Sequence, residues 1–121
     1  MFIFVNKIKT MHIKLVTKIK LDGNLCRKSA RVLSGLERLD LLGQINEIIA
    51  ADERDPLSEG FNLANKYQVQ SAPFFIVEDD DGLTHLYTAY YRFMQDIFQI
   101  SVSESDAISE IMAQNPELDY I

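Results

Sequence analysis

Cys26 is the residue in this 121-residue chain best suited to covalent chemistry, and it is the only cysteine. A single thiol closes no disulfide within the chain and builds no multi-thiolate cage for zinc or an iron–sulfur cluster. Sulfur chemistry at Cys26 therefore recruits a second molecule. Asp22, Gly23 and Asn24 form a turn-forming cluster before an apolar run, which predicts a helix starting near Leu25 or Cys26. At a helix start, unpaired backbone N–H groups and the positive end of the dipole favour a thiolate, the form that attacks. Arg27, Lys28 and Arg31 add positive charge nearby. The competing role for Cys26 is that of a small buried hydrophobe.

Other groupings offer less. His12 and His85 are far apart in sequence and have no ligand spacing to Cys26, so no metal site is expected. The run Asp79, Asp80, Asp81 has the charge to hold a cation but reads most simply as a solvated turn. No glycine-rich phosphate loop and no nucleophilic serine elbow occurs.

The elements that must position Cys26 follow from periodicity and punctuation. Ile13, Leu15 and Val16 mark a buried first strand over 11–17. The helix after the turn carries Cys26, Ala30, Leu33 and Leu36 at helical spacing and keeps Arg27, Lys28, Arg31, Glu37 and Arg38 wet, ending at Gly43 or at Gly35. A second strand is predicted over 45–51. Asp55 and Pro56 read as cap and first residue of a second helix burying Leu57, Phe61 and Ala64. Ser71, Ala72 and Pro73 lead into the uninterrupted Phe74, Phe75, Ile76, Val77 strand, and Asp81-Gly82 turns it into an antiparallel partner from Leu83 to Tyr87. Ser103 or Ser105 caps a last helix carrying Ala107, Ile108, Ile111 and Met112, stopped at Asn115-Pro116. Strands alternate with helices and finish in a hairpin and a helix, which gives an α/β protein with a central mixed four-stranded sheet in βαβαββα order.

The strand–loop–helix junction at Cys26-Arg27-Lys28-Ser29, the Ser71-Ala72-Pro73 tripeptide before an apolar strand and the order of elements together resemble the thioredoxin superfamily, over about residues 11–111. The resemblance implies a thioredoxin-like fold with a cis peptide before Pro73, opposite Cys26 across a shallow groove. It implies that Ala72 and Pro73 offer backbone pairing groups to an extended peptide or thiol, with Arg27 beside them and Tyr91, in the stretch Tyr90, Tyr91, Arg92, Phe93, at the groove wall. Ser29 stands where dithiol members carry a second cysteine, so the implied route is monothiol: a mixed disulfide at Cys26, resolved by glutathione or a partner thiol, with the Ser29 hydroxyl bonded to the sulfur. Lys18 follows a strand-end threonine as in glutaredoxins, where it would meet a glutathione carboxylate, making glutathione a candidate co-substrate. Two glutaredoxin features are absent: a tryptophan before the cysteine and a Gly-Gly after the hairpin. Arg27 and Lys28 stand where cluster-binding monothiol glutaredoxins have Gly and Phe, so no cofactor is expected. The alternative is a redox-inactive binding module that retains the groove.

Bulk numbers agree with a single domain over 11–121, with 1–10 an extension and Met11 an alternative start. Apolar residues make up 47% and charged ones 25%, which excludes fibrous and disordered classes. The net charge of −6 is unevenly spread: through Arg31 eight basic residues face Asp22 alone, +7, whereas the rest carries four basic residues and seventeen acids, −13. The basic end interleaves lysines with Ile, Val and Leu without aromatic platforms, which reads as a wet strand face, so no nucleic acid partner is expected. Lysines interrupt the apolar N-terminal runs before signal-peptide length, no stretch is long enough to span a bilayer, and a lone thiol suits a reducing compartment. A cytoplasmic location without membrane contact follows as the expectation. The oligomeric state is not written in the residues.

Overall fold

Two stretches carry the apolar residues of the central strands: Phe74 to Val77 is a continuous run of the kind a strand buried on both faces shows, whereas Ile13, Leu15 and Val16 are interrupted by Lys14. In a computed structural model, which describes residues 10–102, they become β1, Met11–Ile19, and β3, Phe74–Asp79, at the centre of the sheet. Around them lie α1, Arg27–Arg38, β2, Glu47–Asp52, α2, Glu59–Tyr67, β4, Thr84–Tyr87, and α3, Tyr90–Phe98. The sheet order is β2-β1-β3-β4. β1 runs parallel to β2 with Val16 opposite Ile49, and antiparallel to β3 with Leu15 opposite Phe75, while β3 and β4 form an antiparallel hairpin. The protein is thus α/β, with a mixed four-stranded sheet flanked by helices in the expected order. The expected last helix over 103–115, and the extension before Thr10, lie outside the described residues.

Successive strand side chains alternate between the two faces. On one face Ile13, Leu15, Phe75 and Val77 meet Val32 and Leu36 of α1 and Phe93 and Met94 of α3. On the other, Val16, Ile49, Phe74 and Ile76 meet Phe61 and Ala64 of α2. The Phe75 and Phe93 rings stack with centroids 3.7 Å apart, and Phe98 meets Phe93 edge-on. Among the described residues no helix is long and apolar enough to cross a membrane.

The local expectations for α1 and α2 are corrected. The buried face of α1 is Ser29, Val32, Gly35 and Leu36, whereas Ala30 is exposed. The helix therefore sits about one residue's rotation from the expected stripe, because the small Ser29 and Gly35 allow close approach where Ala30 was expected. Neither expected glycine ends it: the helix runs past Gly35 and stops before Gly43, leaving at Leu39 and Asp40, the latter at φ 61°. Asp55 and Pro56 form a turn before α2, with Asp55 Oδ1 accepting from the Leu57 N–H, so the helix starts after Ser58. Leu57 consequently lies on that turn and is 81% exposed rather than buried. α3 begins at Tyr90, immediately after the hairpin and ahead of Phe93.

Candidate functional site

The loop leading to Cys26 is closed on itself by backbone pairing. The Cys26 N–H donates to Lys18 O at 2.9 Å, the Lys20 N–H to Asn24 O at 2.8 Å, and Ile19 bridges Leu25. Gly23 makes the reversal at φ 86°, a conformation that suits glycine. This small hairpin carries the chain from the end of β1 to the N-terminus of α1, where Cys26 is the N-cap.

At that cap the sulfur has two partners from one residue. The Ser29 N–H donates to Cys26 Sγ at 3.4 Å, and Sγ lies 3.2 Å from Ser29 Oγ. The Lys18 N–H donates to the same oxygen at 2.9 Å. Ser29 is fully buried and Cys26 is 9% exposed. With one lone pair of the hydroxyl taken by Lys18, its proton is positioned to point at the sulfur when Cys26 is deprotonated, and the thiol proton to point at the oxygen when it is not. Either way the sulfur is held toward the helix axis by a backbone donor and a hydroxyl.

Beside the cap, a cavity of about 430 Å³ runs along α1 toward Ser71, Ala72 and Pro73, with Tyr90 and Val102 at its other side. The Ala72–Pro73 peptide is cis. Arg27, Lys28, Arg31 and Arg38 line the cavity, and no acidic side chain joins them among the described lining residues. Gly35 sits at its base, where a side chain would reach 2.7 Å from the Tyr90 hydroxyl.

The expected site residues fall into separate groups, and neither Cys26 nor Ser29 is among the residues that line the cavity. Cys26 and Ser29 share a hydrogen bond, and Arg27, Ala72 and Pro73 share the cavity. Lys18 acts through its backbone, while its ammonium group pairs with Glu53 at 3.1 Å. Tyr91 lies in a separate depression with Tyr87 and Asp96, and Tyr90 takes the place on the groove wall. Sequence reasoning named Ser71 and Tyr90 within the tripeptide and the aromatic stretch, and it missed Arg38 as a lining residue. The spacing of Arg27, Arg31, Ser34 and Arg38 along one helix face was the available signal. The Asp79, Asp80 and Asp81 carboxylates approach one another within 4.8 Å, but Asp79 accepts from the Asp81 and Leu83 N–H groups and contacts His85, which makes it the organiser of its own turn. His12 pairs with Glu47 across β1 and β2.

No known protein family, characterised protein or solved structure matches the chain.

Proposed function

We propose that this is a thioredoxin-like protein that exchanges thiols through one cysteine. The observation that carries the reading is the cap of α1, where Cys26 Sγ receives the Ser29 N–H and faces the Ser29 hydroxyl beside a groove edged by Pro73. In the exchange, the Cys26 thiolate attacks one sulfur of a disulfide, supplied by a peptide or a low-molecular-weight compound. A new S–S bond forms to Cys26 as the original one breaks, and the departing sulfur leaves as a thiolate that takes a proton from water. A second thiol, glutathione or one from the partner, then attacks the mixed disulfide and returns Cys26 as thiolate. Ser29 cannot perform this second step, so the external thiol is obligatory. Arg27 supports the approach of an anionic thiol, and Ala72 and Pro73 that of an extended backbone.

The low exposure of the sulfur favours a second reading, a binding module whose groove works without turnover. Incubating the full chain with oxidised glutathione and weighing it by intact mass spectrometry separates the two. The exchange reading expects a glutathione adduct on the native fold, absent in Cys26→Ser and released by reduced glutathione. An adduct that appears only under denaturing conditions overturns exchange and leaves the module.

A further inference from the structure

We propose that the cavity along α1 binds a small organic phosphate monoester, held by Arg31 and Arg38 on either side of Gly35. The two arginines line the cavity seven residues apart, with Gly35 between them, four residues after Arg31 and three before Arg38. Residues at these spacings share one helix face. At about 1.5 Å per residue the two backbones are separated by roughly 10 Å along the axis, a span that two arginine side chains close from its ends. Gly35 keeps the middle of that span clear of any side chain from α1. It also lets Tyr90 come down to the helix surface there, since a Cβ on Gly35 would lie 2.7 Å from the Tyr90 hydroxyl.

The charge of this stretch selects a dianion. Among the described residues no carboxylate pairs with Arg31 or Arg38, and none lines the cavity. Arg27 and Lys28, at the start of the helix, have interaction partners of their own, so the site rests on the later pair. A guanidinium group is a planar fork of N–H donors that matches two oxygens of a phosphate at once. A phosphate monoester brings three such oxygens and a charge of about −1.5 to −2 at neutral pH, enough for both arginines, where a carboxylate brings half as much. The rest of the wall suits the body of the ester. Leu39, 40% exposed, follows Arg38 directly, and Pro73 and Tyr90 face the same space. The volume, about 430 Å³, falls within the range of roughly 300–1,000 Å³ typical of small-molecule sites. Cys26 and Ser29 do not line this cavity, so the inference holds whether or not Cys26 exchanges thiols.

Phenyl phosphate is the probe, titrated into the isotope-labelled full chain and followed by amide NMR. Saturable shifts are expected at Ser34, Gly35, Arg38 and Leu39, with the amides of β2 left in place. Arg31→Gln combined with Arg38→Gln changes two exposed side chains, so the fold should persist, which the β3 amides report. Binding by this variant should weaken about tenfold or more, the loss expected when hydrogen bonds from charged donors are removed. Cys26→Ser should bind as the natural sequence does, which separates this outcome from that of thiol exchange. Benzoate, which has the ring but a single charge, and inorganic phosphate, which lacks the ring, should both bind more weakly than phenyl phosphate. The absence of saturable shifts along α1 overturns the proposal, and so does undiminished binding by the double variant. Benzoate bound as tightly as phenyl phosphate overturns the assignment to a phosphate monoester.

Discussion

Ser29 Oγ lies 3.2 Å from Cys26 Sγ and 2.9 Å from the Lys18 backbone nitrogen, so one buried hydroxyl joins the end of β1 to the start of α1. Removing it in Ser29→Ala keeps the helix N–H donor to the sulfur but leaves the Lys18 N–H without its acceptor. An unsatisfied buried donor costs about 1–3 kcal/mol. Urea denaturation should show a loss of that size, and the alkylation rate of Cys26 should change while its backbone cap remains. An unchanged unfolding midpoint and an unchanged alkylation rate would show that the hydroxyl is incidental.

Restoring a second sulfur at the same position gives a sharper readout. Ser29→Cys sets two thiols at adjacent turns of one helix cap, where the existing sulfur–oxygen contact is 3.2 Å. Mild oxidant is expected to close an intramolecular disulfide, seen as the loss of two hydrogens in intact mass and of both titratable thiols in denaturant. Dimers linked through Cys26 instead would mean that the two sulfurs point apart.

Phe93 is fully buried, stacked on Phe75 and contacted edge-on by Tyr87 and Phe98. Phe93→Ala should cost about 3–5 kcal/mol, since transfer and cavity terms add. Leu57→Ala, at a side chain 81% exposed, should stay within about 0.5 kcal/mol. Equal losses from the two in chemical denaturation would contradict the division between core and turn.

Those two residues also show what the sequence makes legible. The run Phe74, Phe75, Ile76, Val77 announces a central strand because it is short, follows Pro73, is rich in aromatic and β-branched residues, and a strand covered on both faces buries successive side chains. The turn residues before Cys26 announce the helix start because their side chains and backbones suit reversal, and Asp22 Oδ1 does accept from the Asn24 N–H. Leu57 was misread because Asp55 and Pro56 are compatible with both a cap and a free-standing turn, and the choice depends on tertiary contacts. Ser58 Oγ, bonded to the Asp52 N–H, ties the later start of α2 to β2. The groove wall was misassigned by one residue for a related reason. Tyr90 and Tyr91 differ in facing only once α3 is known to begin at Tyr90.

Gly60 reports how closely α2 packs on the sheet. A side chain there would run into the backbone of Ala50 and Ala51 on β2, which cannot move without disturbing the pairing with β1. Gly60→Ala gains helix propensity but must separate helix and strand, and overpacking of this kind costs about 1–3 kcal/mol. Thermal unfolding should therefore show a lower midpoint despite the better helix former. A raised midpoint would mean that α2 can shift outward freely.

Asp52 gives the acid limb of the stability profile a specific contributor. The Arg54 guanidinium donates to its carboxylate at 3.0 and 2.8 Å, and the Arg54 N–H adds a third bond. These hold the Asp52 pKa down to about 2 from an ordinary 3.8. A folded-state value below the unfolded one means that the unfolded chain binds the proton first as pH falls. The contribution of Asp52 is thus complete above about pH 4 and lost as pH drops through 2. Asp52→Asn should lower stability at neutral pH and converge with the natural sequence near pH 2. Because the pair is solvent-exposed, added salt should shrink the difference. Unfolding curves collected against pH at two ionic strengths check both statements, and a gap that widens toward low pH would reverse the assigned sign.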